Sequence, residues 1–127
     1  MEGCRRGFFC VALLLTFISS PILPKAFADS EDLETGRDIF YKHCKACHGD
    51  KGNGKTFAAN VLNPPPKNFT DEKSKKELTE ERMIRSVTKG RKGTAMMPWE
   101  SNLRKKEIHA VVHYIRKELM KLEPSGK

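Results

Sequence analysis

No stretch of the chain alternates apolar and polar residues as a half-buried strand does, and no segment repeats another. The reading is therefore all-α, and the strand–helix setting in which a thioredoxin-like Cys-x-x-Cys works is missing. No apolar run reaches the roughly 20 residues that a membrane-crossing helix needs. The longest, Phe8 to Ile18, falls well short. Cysteine is scarce, with four in 127 residues, and only Cys44 and Cys47 lie beyond position 28. A disulfide between thiols three positions apart would close so small a loop that it would constrain the unfolded chain only weakly. Apolar residues are sparse in the last hundred positions, so a domain of that size has little with which to build a core of its own.

What the first part of the chain does have is an export signal. Arg5 and Arg6 precede the apolar run, which passes through Ser19, Ser20 and Pro21 to the small-residue triplet Ala26, Phe27, Ala28. That order is expected of a secretory signal peptide over residues 1–28, with an uncleaved membrane anchor as the alternative. Cys4 and Cys10 would leave with the signal, and neither sits in a lipoprotein-type cleavage box. Removing Arg5, Arg6 and Lys25 from the 24 basic side chains leaves 21, and removing Glu2 from the 16 acidic ones leaves 15. The domain expected over residues 29–127 is thus basic by 21 − 15 = 6 charges. Its surface suits anionic lipid, nucleic acid or an acidic protein, and an exported location makes nucleic acid the poorest of the three.

Three helices are expected. The first covers about Glu31 to Lys42, with Leu33, Gly36, Ile39 and Phe40 in a narrow stripe. The second covers Thr79 to Thr88, with Met83, Ile84 and Val87 on one face and Gly90 and Gly93 as terminators. The third covers about Lys105 to Lys121, where Ile108, Val111, Val112, Ile115 and Leu119 recur at threes and fours. Arg104 precedes it in place of the usual small polar cap, so its start is expected to be loose. The glycine-rich stretch 50–55 and the triplet Pro64, Pro65, Pro66 are long irregular segments, and loops of that length need something to wrap around.

Cys44-Lys45-Ala46-Cys47-His48 supplies the chemistry. Two thiols at this spacing can each add across one vinyl group of a haem, and the adjacent imidazole is then held at the iron as an axial ligand. A tetrahedral zinc site is the other use of such residues, with His109 and His113 as a second pair four apart. Haem iron in an electron carrier needs a sixth ligand, and Met83, Met96, Met97 and Met120 are the thioether candidates. Met97 is favoured because it lies in a loop and Pro98 stiffens the backbone after it, with Met96 as the alternative.

With those residues in view, the sequence resembles the class I cytochromes c, the small single-haem carriers, over nearly all of residues 29–127. Gly36 and Phe40 look like the family's first-helix glycine and aromatic, Val111 and Tyr114 like their partners on the last helix, and Met97-Pro98 like its methionine-ligand loop. The resemblance implies a cytochrome c fold wrapped around one covalent haem c, with first and last helices crossing. It further implies that a backbone carbonyl of the proline-rich segment, expected among residues 63–66, orients His48. The function implied is not an enzyme's but that of a periplasmic one-electron carrier with His48/Met97 ligation and acidic redox partners. Lys42, Lys45, Lys51, Lys55, Lys89 and Lys92 are the candidate steering charges. A gas sensor or haem enzyme subunit with an open sixth position is the alternative.

Overall fold

Residues 25–39 contain no proline, and helix α1 (Lys25–Ile39) begins as soon as Pro24 is passed, six residues earlier than the apolar stripe alone suggests. The computed structural model describes residues 25–122, so Cys4, Cys10 and the apolar run 8–18 lie outside the described residues. The cleavage point expected after Ala28 falls within the span of α1.

At its C-terminal end α1 runs into a wide π-type turn, Phe40–Cys44, closed by the Lys45 N–H donating to the Phe40 carbonyl, and then into the short helix α2 (Lys45–His48). After a long loop come α3 (Glu72–Glu77), α4 (Glu80–Lys89) and α5 (Lys105–Tyr114). The described residues contain helices, turns and loops and no strand.

The core forms where α1 crosses α5. Ile39 and Phe40 from the first segment meet Ile108, Val111, Val112, Tyr114 and Ile115 from the last, and Met83 and Val87 of α4 close the cluster. The Phe40 and Tyr114 rings lie 5.7 Å apart and tilted by 46°. Gly36 sets the distance between the two helices: a Cβ there would overlap the Ala110 carbonyl oxygen and stand 2.8 Å from Tyr114 Cβ. Lys106 and Asp32 also bridge α1 and α5, at 3.6 Å. An exposed ion pair contributes about 0–1 kcal/mol, whereas each large side chain buried here contributes about 1.5–3 kcal/mol. Packing therefore decides the crossing.

Three departures from the sequence pattern have physical causes. Helix α3 has no apolar periodicity; Asp71 starts it by accepting the Ser74 N–H at 2.8 Å, and Leu78 seals its end in the core. The start of α5 is firm. Glu107 accepts the Arg104 N–H at 2.8 Å and pairs with the Arg104 guanidinium at 3.0 Å, which holds its carboxyl at about 2. Met120, which the pattern places at a frayed end, is fully buried. The cause is the π-type turn Ile115–Leu119, whose extra residue shifts the helical phase; the turn is closed by the Met120 N–H donating to the Ile115 carbonyl at 2.9 Å.

Arg116 finishes the frame by donating to the Leu78 carbonyl at 2.9 Å, so the end of the last helix is tied to the junction of α3 and α4. Among the described residues no helix is long and apolar enough to cross a membrane.

Replacing Gly36 by Ala should force α1 and α5 apart at Ala110, because the obstructing atoms belong to backbone and cannot rotate away. The expected loss is about 1–3 kcal/mol, read as a lowered midpoint in denaturant unfolding of the intact protein. An unchanged midpoint would mean that the crossing does not depend on this contact.

Candidate functional site

The C-x-x-C-H residues occupy the end of the π-type turn and all of α2, so a single helical stretch presents Cys44, Cys47 and His48 together. Both thiols are half-buried and are not joined to each other. Burial, followed by the charge of Cys47, pushes the Cys44 thiol up to about 12. A disulfide-exchanging cysteine needs the opposite shift.

His48 is held from two sides. Its Nδ1 lies 3.1 Å from the Lys67 carbonyl oxygen, one residue beyond the segment where the sequence places the acceptor. Pro64 and Pro65 remain exposed, and it is the chain just after the prolines that turns towards the ring. The Phe69 ring stacks on the imidazole at 4.6 Å and 12°. Burial lowers the His48 pKa, against the smaller opposing effect of the Lys67 carbonyl. The neutral imidazole with Nδ1–H donating to Lys67 leaves Nε2 as a lone-pair donor, which is the form that ligates a metal.

The loop that follows supports this arrangement. The Gly54 N–H donates to the His48 carbonyl at 2.8 Å, and the Phe69 N–H donates to the Gly52 carbonyl at 2.7 Å. Residues 52 and 69 are thereby joined beneath the imidazole. The Thr56 hydroxyl donates to the Cys47 carbonyl at 3.2 Å and accepts the Ala59 N–H at 3.0 Å, which ties the single turn Ala58–Val61 to the motif. That turn leaves Phe57 88 % and Val61 75 % exposed.

The methionine loop lies between α4 and α5. Gly90 ends α4 at φ +66°, a conformation in which a Cβ is strained, and a Cβ there would stand 2.7 Å from both the Met96 carbonyl oxygen and the Pro98 nitrogen. The loop therefore folds back over the end of its own helix. Met96 packs against the core with its carbonyl accepting the Arg91 N–H at 2.8 Å, whereas Met97 is 55 % exposed. Met83 and Met120 are buried core residues. Trp99 connects the loop to the motif, its ring 4.9 Å from that of His43, the residue before Cys44.

These residues fit a c-type haem. Two thiols stand on one helical stretch, an oriented neutral imidazole follows, and thioether and apolar side chains (Met97, Phe57, Val61) are unburied on segments tied to that stretch. They do not fit zinc, since among the described residues no three His, Cys, Asp or Glu side chains converge on a metal position. His109 is exposed and His113 half-buried on α5. A separate cleft of about 680 Å3, lined by Leu33, Tyr41, Tyr114 and Leu119 with charges of both signs, contains none of the motif residues or loop methionines.

Sequence reasoning missed Lys67, Phe69 and the second role of Gly90. Phe69 carried a signal, as the lone apolar residue between Pro66 and Leu78. Lys67 acts through its backbone, so its side chain carried none.

Residues 31–115 match the family described as cytochrome c oxidase, cbb3-type, subunit III. Among solved structures, the KustC0563 c-type cytochrome is similar, with 30 % identity and a TM-score of 0.56 over 64 % of this chain and 93 % of that one. A chain of the reducing HAO-like protein complex Kustc0457/Kustc0458 of Kuenenia stuttgartiensis shares the fold at 23 % identity and a TM-score of 0.57, covering 73 % of this chain and 46 % of that one. No curated protein sequence matches significantly.

Gly90→Ala should lift the methionine loop from α4. Hydrogen exchange at the Arg91 and Trp99 amides, which donate to Met96 and Val87, is expected to rise at least about tenfold relative to the α5 amides. Equal protection in the variant would show that Gly90 does not seat the loop.

Proposed function

The chain belongs to the cytochrome c family described as cytochrome c oxidase, cbb3-type, subunit III, and from that membership we propose that it is an exported, periplasmic one-electron carrier with a single haem and His48/Met97 axial ligation. Covalent haem c and electron transfer come with the family. The haem number, the ligand pair, the location and the partners are our reading.

Within this reading, Cys44 and Cys47 would hold the haem through two thioether bonds, each formed by addition of an S–H across a vinyl group. The bound haem supplies the reversible ferric–ferrous couple. The observation that carries the reading is the 3.1 Å contact between His48 Nδ1 and the Lys67 carbonyl oxygen. It fixes the ring in the tautomer whose Nε2 can donate, and the hydrogen bond raises the ligand's basicity. Phe69 keeps the ring plane from rotating.

Met97 is the second ligand because its neighbour is already committed. Met96 contributes to the core, while Met97 projects from the span between two fixed points of the loop. A thioether paired with an imidazole stabilises ferrous iron and favours a high potential. The signal over residues 1–28, the domain over 29–127 and the absence of catalytic residues belong to the same proposal.

The decisive experiment is an absorption spectrum of the protein exported from cells that attach haem, oxidised and then reduced, with Met97→Ala and Met96→Ala beside it. Wild type and Met96→Ala should be low-spin and show a methionine-to-iron charge-transfer band, which Met97→Ala should lose. Double replacement of Cys44 and Cys47 by Ala should abolish haem staining on a denaturing gel. A high-spin wild type that binds carbon monoxide at once would replace the carrier by a sensor or haem enzyme subunit.

The basic surface supports an acidic docking partner. Lys45 pairs with Asp50 at 3.6 Å and Lys89 with Glu100 at 2.7 Å, which dampens two of the six candidate charges. Lys42, Lys51, Lys55 and Lys92 are exposed. Electron transfer to a purified acidic redox protein, followed by stopped flow, should slow by roughly tenfold or more as salt is raised to physiological strength. A flat response would remove the docking proposal and leave the carrier intact.

A further inference from the structure

The loop that carries Met97 is fixed on both sides of it. Before it, the Met96 carbonyl accepts the Arg91 N–H and the Met96 N–H donates to the Thr94 hydroxyl at 3.1 Å, with Gly90 against the loop backbone. After it, the Trp99 N–H donates to the Val87 carbonyl at 3.0 Å, and the Trp99 carbonyl accepts the Asn102 and Leu103 N–H groups at 2.9 and 2.8 Å. Only Met97 and Pro98 lie between these anchors, and the proline ring fixes its own φ.

The anchors so far described join the loop to α4 and to the start of the next turn. None of them joins it to the segment that holds the two thiols. That connection is made by side chains. Trp99 packs half-buried against the core and presents its ring to the imidazole of His43 at 4.9 Å and 54°. His43 is half-buried and adjoins Cys44 inside the π-type turn.

We propose that the His43–Trp99 ring contact is a clasp that holds the methionine loop to the haem-attachment turn, making His43 and Trp99 positioning residues for the Met97 thioether. The inference rests on the His48/Met97 ligation proposed above and adds what keeps the sixth ligand in place. Packing of Trp99 alone would account for its burial; the imidazole partner beside Cys44 is what couples the two segments. Cutting the clasp leaves the haem attached and the loop seated on α4, but removes the ring contact that holds the loop against the turn bearing Cys44. Exogenous ligands should then reach the iron more easily.

The test is the rate at which imidazole displaces the methionine from the oxidised holoprotein, followed by loss of the charge-transfer band, with denaturant unfolding measured on the same samples. His43→Ala and Trp99→Leu should each accelerate displacement by about two- to tenfold, the scale of one aromatic pair. Trp99→Phe, which keeps an aromatic face, should recover most of the wild-type rate. The double variant His43→Ala/Trp99→Leu should be no faster than Trp99→Leu, because the two residues make one interaction. Should Trp99→Leu fail to fold, His43→Ala and Trp99→Phe still decide the matter.

Unchanged displacement in His43→Ala, or acceleration that merely tracks lowered global stability, would overturn the clasp and leave His48/Met97 ligation standing. A wild-type protein without the charge-transfer band would instead overturn the ligation, and the clasp with it.

Discussion

Helix α1 reaches α5 because position 36 carries no side chain. With Gly36 against the Ala110 backbone, Phe40 descends into the core beside Tyr114, and the next turn brings Cys44 to the edge of the same cluster. The segment that carries Cys44, Cys47 and His48 is thus an extension of the crossing. Any change in the distance between the two helices would move the thiols as well as the core. This explains why a chain with little apolar material concentrates it here, since the same residues stabilise the fold and aim the site.

The rest of the site is assembled by loops that are tied down at several points in spite of their length. The loop after His48 is tied back through Gly52 and Gly54, and the segment after the prolines returns to present the Lys67 carbonyl and the Phe69 ring to the imidazole. Each contact is weak alone, about 0.5–1.5 kcal/mol for a hydrogen bond or a ring pair. Together they fix a single tautomer and a single plane for one side chain, which a lone contact could not do. The methionine loop is built by the same means on the other helix, with Gly90 and Trp99 as its fixed points.

How much of this could be read in advance depended on whether a residue acts through its side chain. The stripe of Met83, Ile84 and Val87 and that of Ile108, Val111, Val112 and Ile115 follow from burying one helical face, and the structure buries or half-buries all of them. Thr79 and Gly90 delimit α4, as their chemistry demands. The short helix α3 escaped because periodicity looks for apolar faces, and its start depends on one carboxylate at Asp71. The firm start of α5 escaped because Arg104 is not itself a capping residue; Glu107, three positions on, does the capping.

By itself the sequence determined the chemistry of the site. Cys44, Cys47 and His48 lie within five consecutive residues, so their spacing on a helical turn is settled by the chain, and the proposed haem attachment is read from that spacing. What only the tertiary structure decided were the partners that come from far along the chain. Lys67 and Phe69 stand against His48, Trp99 against His43, and Arg116 against Leu78. The phase of the helix beyond Tyr114, which buries Met120, was decided there as well. Those pairings depend on where loops close and on one extra residue in a turn, and local sequence patterns do not record loop closure.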